Sequence, residues 1–103
     1  MSTMQEEIKK DIENHPVILF MKGSKLMPLC GFSAQVVDVL NQYSVEYETR
    51  DVLKNDGLRQ GIKEFSNWPT LPQLYIQGKF IGGCDIVMQF HDEGKLETMF
   101  KRL

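Results

Sequence analysis

Cys30 is the residue of this sequence best placed to do chemistry, because it lies where a loop meets a helix. An apolar run that predicts a strand, Val17–Met21, is followed by a loop, and helical spacing of apolar residues begins at Phe32. A thiol at a helix start faces unpaired backbone N–H groups and the positive end of the helix dipole, and both favour the thiolate. Lys22, which enters the loop, is expected to add a positive charge nearby. A lone cysteine is more often a small buried residue, but the junction favours a reactive thiol.

The residue three positions after Cys30 is Ser33, so the sequence has no Cys-x-x-Cys pair. A dithiol attacks a disulfide and then releases its partner through the second sulfur, which a lone thiol cannot do. Exchange at Cys30 must therefore end with an external thiol or with the one other cysteine, Cys84. We expect Cys84 to be packed rather than reactive, and Ser33 to cap the helix.

Two further segments have the composition of a backbone that binds a ligand. Pro72 directly precedes a predicted strand, so Leu71–Pro72 is a candidate cis peptide bond; if it is cis, the Leu71 amide and carbonyl are free to pair with an extended peptide. Gly82 and Gly83 allow a ligand to approach the backbone closely, and Asp85 at a helix start can accept from an amine. A plain extended segment, and a bulge followed by a helix cap, are the structural alternatives.

The elements that must position these residues follow from the hydrophobic patterns. In chain order the sequence predicts helix, strand, helix, strand, helix, strand, strand, helix and helix. The first helix has two candidate capping residues, Ser2 and Thr3, and ends at Pro16. Residues 45–50 alternate as a strand with one wet face, and Gln77 and Gly78 form a tight turn. A helical crossover makes the first two strands parallel, and the tight turn makes the last two antiparallel. The predicted α/β fold is a small four-stranded mixed sheet with helices on both faces.

Length and charge exclude several classes of function. The 103 residues, 42% hydrophobic and 25% charged, predict one folded domain, 1–103. A net charge of −2 gives no electrostatic case for binding nucleic acid or an anionic membrane. The acidic N-terminus has the pattern of neither a secretory signal nor a transit peptide, and no apolar run is long enough to span a bilayer. Two cysteines cannot form a disulfide scaffold, so we expect a reducing compartment, the cytosol.

Together these segments resemble the monothiol glutaredoxins whose active site reads Cys-Gly-Phe-Ser. The resemblance covers nearly the whole chain and implies a thioredoxin-like fold. The sequence departs from the family at Lys25, where a proline is usual, and we expect this to affect only the stiffness of the loop. Any one of the shared motifs is weak evidence, whereas four in the same order are specific. They are Met21-Lys22-Gly23, Cys30-Gly31-Phe32-Ser33-Ala34, Trp68-Pro69-Thr70 with Pro72-Gln73-Leu74, and Gly82-Gly83-Cys84-Asp85.

The resemblance implies glutathione as a ligand. Glutathione is an extended anionic tripeptide, so it needs cations at one end and the N–H donors of a helix start at the other. The residues implied to bind it are Lys22 and Arg59 at its glycine carboxylate, Leu71 through its backbone at the cysteinyl unit, and Gly83, Cys84 and Asp85 at the γ-glutamyl end.

The resemblance also implies that Cys30 is both the catalytic thiol and an iron ligand of a [2Fe–2S] cluster. Such a cluster takes four thiolates, and one Cys30 and one bound glutathione from each of two protomers supply them. The implied function is iron–sulfur cluster carriage and redox homeostasis by a protein that is a homodimer when cluster-bound. The implied partners are apo iron–sulfur proteins and BolA-like proteins, with neither nucleic acid nor membrane.

Two other functions remain open at this point. The first is a glutathione-dependent thiol–disulfide oxidoreductase, at most a weak enzyme, which removes glutathione from proteins through Cys30. The second is an adaptor with an inert thiol. Turnover with glutathione identifies the first, and a Cys30→Ser protein that keeps every partner identifies the second.

Overall fold

The predicted order of helices and strands is confirmed by the structure, a computed structural model that describes residues 2–103. The predicted domain 1–103 also includes Met1, which lies outside the described residues. A short 3-10 helix, Val52–Lys54, is an addition to the prediction. The other elements are α1 (Met4–Asn14), β1 (Val17–Met21), α2 (Gly31–Leu40), β2 (Glu48–Asp51), α3 (Asp56–Ser66), β3 (Gln73–Ile76), β4 (Lys79–Gly82), α4 (Cys84–Asp92) and α5 (Lys95–Lys101).

The four strands form one mixed sheet in the order β2-β1-β3-β4. Strands β1 and β2 are parallel, as the crossover predicts, and β3 and β4 are antiparallel, as the tight turn predicts. Strand β3 is also antiparallel to β1, which joins the two pairs into one sheet. Gln77 and Gly78 have φ values of 50° and 80°, the left-handed conformation that a type I′ hairpin turn requires at both central positions.

Strand β1 is the centre of the core, and all five of its residues are buried. Val17, Leu19 and Met21 pack against α2, α4 and α5 on one face of the sheet. Ile18 and Phe20 pack against α1 and α3 on the other face. Because side chains alternate along a strand, one apolar run holds both helical layers. The end of β1, from which Lys22 emerges, is therefore a rigid base.

The sequence prediction of β2 is confirmed for residues 48–50 and wrong for residues 45–47. The alternating residues 45–50 predict a strand, but β2 begins at Glu48, where pairing with Ile18 of β1 begins. Tyr47 instead turns into the core and donates from its hydroxyl to Asn41 Oδ1 at 2.7 Å. The alternation of apolar and polar residues before Glu48 therefore arises because Tyr47 is buried, and not because these residues pair in a strand.

Helix boundaries follow the capping residues. The Thr3 hydroxyl accepts from the Glu6 amide at 3.2 Å and the Glu6 carboxylate accepts from the Thr3 amide at 3.4 Å, which is a capping box. Asn55 caps α3 with a single bond, its side-chain oxygen accepting from the Leu58 amide at 3.0 Å. Over residues 2–103, every helix is too short or too polar to span a bilayer.

Candidate functional site

Separate segments meet where β1 ends and α2 and α4 begin, and they enclose a cleft of about 370 Å³. The strands bring these segments together, because antiparallel pairing places the end of β1 beside the start of β3. Six of the seven residues predicted to form the ligand site line this cleft, and the exception is Arg59. The six are Lys22, Cys30, Leu71, Gly83, Cys84 and Asp85.

Cys30 is the N-cap residue of α2, with extended backbone (φ −148°, ψ 136°) and a partly exposed side chain. Partial burial raises the pKa of its thiol, but the backbone N–H groups of Ser33 and Phe32, the Ser33 hydroxyl and the Lys22 charge together hold that pKa below its usual value of 9.0. The helix start thus stabilises a thiolate at the cleft.

Ser33 does not cap α2, contrary to our expectation. The helix begins at Gly31, so the N-cap position belongs to Cys30 and Ser33 lies inside the first turn. The buried Ser33 hydroxyl instead accepts from the Lys22 amide at 3.1 Å. One side chain therefore joins the end of β1 to α2, and the same hydroxyl helps to lower the pKa of the Cys30 thiol.

The segment before β3 presents its backbone to the cleft. The Leu71–Pro72 peptide bond is cis. Within the part of the chain that the structure describes, neither the amide nor the carbonyl of Leu71 has a hydrogen-bonding partner. Trp68, whose side chain is 40% exposed, forms another part of the cleft wall. The segment thus offers one free backbone donor and one free acceptor beside Cys30.

The paired glycines have different structural roles. Gly83 is the N-cap of α4, and Asp85 is exposed in the first turn of that helix. A Cβ atom on Gly82, whose φ is +149°, would lie 2.6 Å from Cβ of Ile86. Gly82 is therefore required by the packing of β4 against α4, whereas Gly83 is the glycine at the cleft.

Cys84 differs from Cys30 in its surroundings. It is buried, and its thiol donates to Oε1 of Gln35 on α2 at 3.0 Å. Burial raises the pKa of Cys84, and the nearby charges of Asp85 and Cys30 raise it further, so this sulfur stays protonated. Both cysteines are free, and nowhere in residues 2–103 do three or more His, Cys, Asp or Glu side chains cluster as a metal site. Of the two cysteines, Cys30 is thus the accessible one.

Lys63 lines the cleft where Arg59 was expected to do so. Both residues belong to α3 and are four positions apart, so they lie one turn apart on the same helix face. The four-residue spacing was the available signal for Lys63, which the sequence interpretation missed. The cations beside the cleft are thus Lys22 and Lys63, with Arg59 one turn away.

The loop that leads to Cys30 is anchored by Lys25, the residue at which the sequence departs from the family pattern. Its ammonium donates to the Tyr47 carbonyl at 2.6 Å and lies 4.0 Å from the centre of the Tyr47 ring. A hydrogen bond and a cation–π contact therefore restrain this loop to the core at the position where a proline would restrict its backbone. The rest of the loop presents apolar side chains to solvent, with Leu26 95% exposed and Met27 67% exposed.

Comparison with known proteins gives consistent results. A family model described as Glutaredoxin matches residues 17–81. The chain is 48% identical to the monothiol glutaredoxin ycf64 of Porphyra purpurea, and the match covers 97% of each chain. It is 49% identical to monothiol glutaredoxin-S11 of Oryza sativa subsp. japonica over 95% of this chain, which spans only 20% of that longer relative.

Solved structures resemble the fold closely and confirm that it is thioredoxin-like. The solution structure of reduced poplar apo GrxS14 has a TM-score of 0.84 and 44% identity, covering 97% of this chain and 92% of that one. A crystal structure of a buckwheat glutaredoxin–glutathione complex has a TM-score of 0.85 and 26% identity, covering 96% and 88%.

Proposed function

The chain belongs to the monothiol glutaredoxin family, and we propose that it binds glutathione and carries a [2Fe–2S] cluster between two protomers for delivery to apo iron–sulfur proteins. The observation that carries the proposal is the single partly exposed thiol at the cleft, Cys30 at the start of α2, beside a second cysteine that is buried and donates to Gln35.

Glutathione matches the cleft in charge and in the hydrogen-bonding groups that it needs. Its glycine carboxylate is attracted by Lys22 and Lys63, with Arg59 within one turn. Its cysteinyl unit pairs with the free amide and carbonyl of Leu71, which places its sulfur toward Cys30. Its γ-glutamyl carboxylate is bound by the N–H groups at the start of α4, and its amine donates to Asp85.

A bridging cluster follows from the supply of ligands. A [2Fe–2S] cluster is held by four thiolates, and each protomer with its glutathione supplies two. The protein surface beside Cys30 supports association of two chains, because Leu26, Met27, Leu29 and Phe32 are each at least 60% exposed. The cluster is the cargo, and the chain contributes one sulfur, a ligand site for the second and an apolar surface.

We further propose apo iron–sulfur proteins and BolA-like proteins as partners, and the cytosol as the compartment. Free thiols at both Cys30 and Cys84 support a reducing compartment.

A second function, deglutathionylation, is favoured by the lowered pKa of the accessible Cys30 thiol. In that reaction the Cys30 thiolate attacks the glutathione sulfur of a protein mixed disulfide, and the protein thiolate leaves. A free glutathione thiolate then attacks the glutathione sulfur attached to Cys30, which releases glutathione disulfide and restores the thiolate.

The test is anaerobic reconstitution with iron, sulfide and glutathione, followed by absorption spectroscopy and size measurement. We expect a brown dimer with one cluster per two chains and bound glutathione. A cluster that survives Cys30→Ala, or a coloured monomer formed without glutathione, contradicts the proposal. Transfer of the cluster to an apo-ferredoxin, compared with turnover on a glutathionylated peptide, separates the two functions.

A further inference from the structure

Gln73, the first residue of β3, is a polar side chain with no exposed surface. Its Nε2 donates to the backbone carbonyls of Trp68 and Thr70, each at 3.2 Å. Its Oε1 accepts from the Tyr75 hydroxyl at 3.0 Å. Both N–H groups and the oxygen of the amide are therefore used inside the protein.

These bonds connect the cleft wall to the centre of the sheet. Residues 68–72 form no helix or strand, and few of their backbone groups are hydrogen-bonded. Two of those few are the carbonyls that accept from Gln73. Gln73 itself pairs with Phe20 of the fully buried β1. Leu71, with its free amide and carbonyl, lies between the held Thr70 carbonyl and β3.

Tyr75 determines which way the Gln73 amide faces. Burial raises the pKa of Tyr75 to about 12, so its hydroxyl remains a donor at neutral pH. Because the Tyr75 hydroxyl donates, the Gln73 atom facing it must be the amide oxygen. The amide nitrogen of Gln73 then faces the carbonyls of the loop. The Tyr75 ring is itself held between Phe20 and Phe80 at centroid distances of 5.7 and 5.4 Å.

We propose that Gln73 is a positioning residue for ligand binding: it fixes residues 68–72 so that the Leu71 backbone groups face the cleft ready to pair with an extended peptide. The inference rests on the proposed function only in naming glutathione as that peptide. Gln73 does not touch the ligand, and it acts by reducing the conformations that the loop must give up on binding.

The experiment compares Gln73→Met, which keeps the length of the side chain without its hydrogen bonds, with Gln60→Met as the matched control. Gln60 is exposed on α3, and its amide bonds only to Glu64 among the described residues. We expect Gln73→Met to raise the Kd for reduced glutathione on the order of tenfold. This is the effect expected when one to two hydrogen bonds that order the loop are lost. Gln60→Met should leave the Kd unchanged.

Two further readouts separate positioning from general stability. Trp68 is the only tryptophan in the sequence, so the fluorescence anisotropy of folded Gln73→Met reports the mobility of this segment and should fall. The pH profile of Cys30 alkylation should stay as in the wild type, because Gln73 does not contact that thiol. Folded Gln73→Met with wild-type Kd and wild-type anisotropy overturns the proposal.

Tyr75→Phe decides the question if Gln73→Met does not fold. This variant keeps both donors to the loop but leaves the amide free to rotate, so the expected rise in Kd is about two- to threefold. Wild-type Kd and anisotropy in that variant overturn the proposal equally. If the wild type itself fails to bind glutathione, the proposed function is wrong, whereas the anisotropy of the two variants still tests the positioning role of Gln73.

Discussion

Replacing Ser33 with alanine removes a hydroxyl that accepts from the Lys22 amide and helps to lower the pKa of Cys30, and the structure allows the two effects to be worked out separately. The hydroxyl is fully buried and accepts from the Lys22 amide at 3.1 Å. In Ser33→Ala that amide loses its acceptor, and an unsatisfied buried donor costs about 1–3 kcal/mol of the free energy of unfolding. Because the Lys22 amide is only partly buried, the lower end of that range applies, and it corresponds to a decrease in Tm of about 4–8 °C.

The second effect is on Cys30. The Ser33 hydroxyl is one of the groups that lower the pKa of the Cys30 thiol, and alanine removes it. The pKa of Cys30 therefore rises in the variant. The amides of Ser33 and Phe32 and the Lys22 charge remain and continue to lower it. At neutral pH the thiolate fraction falls, and alkylation of Cys30 should slow relative to the wild type. The two rates should converge at high pH, where both proteins are fully thiolate.

Chemical denaturation measures the first effect, and the pH dependence of alkylation in a Cys84→Ser background measures the second. The control is Thr98→Val, which removes an exposed hydroxyl on α5 that donates at 3.2 Å to the carbonyl of Gly94, the residue before that helix. We expect this control to change the free energy of unfolding by less than about 0.5 kcal/mol and the alkylation profile not at all. An alkylation profile unchanged in Ser33→Ala would refute the role of the hydroxyl at the thiolate.

Three more predictions follow from the site. After identical reconstitution, Cys84→Ser should keep the cluster absorbance and Cys30→Ser should lose it; equal loss would make Cys84 a ligand. In calorimetry, Lys22→Ala and Lys63→Ala should each cost about 1–3 kcal/mol of glutathione binding, more than Arg59→Ala, and the reverse order would restore Arg59 to the site. Because folding lowers the pKa of Cys30, its contribution to stability is full above its ordinary pKa of 9.0 and is lost as pH falls through the lowered value. The difference in unfolding free energy between wild type and Cys30→Ser should therefore grow with pH, and a constant difference would contradict it.

The fold was largely predictable because its signals are local. A run of five apolar residues can be buried only at the centre of the sheet, and Gln77 with Gly78 permits only a tight hairpin. Residues 45–47 were predicted wrongly because burial and strand pairing give the same alternation. Pairing of β2 with β1 begins at Glu48 opposite Ile18, although β1 itself begins at Val17, and the pattern within residues 45–50 does not contain that limit.

The site was predictable to the extent that each residue depends on its own segment. The position of Cys30 at a helix start follows from the sequence around it, and the structure places it there. The local sequence does not decide whether Arg59 or Lys63 lines the cleft, because both residues occupy one face of α3. Which of them reaches the cleft depends on how α3 lies on the sheet, and that is set by packing against α1 and β1.

Burial also depends on tertiary packing, so the sequence did not reveal that Ser33 and Gln73 position the backbone of the cleft. Ser33 and Gln73 are the only fully buried polar side chains among residues 2–103, and no buried side-chain nitrogen or oxygen there lacks a partner. A polar group is retained in a core only where its hydrogen bonds are made, so these bonds identify what each residue holds in place. Ser33 ties Lys22 to α2, and Gln73 ties the carbonyls of residues 68 and 70 to β3. Ser33 and Gln73 thus each hold a segment of backbone that lines the cleft, which is the arrangement expected of a preorganised ligand site.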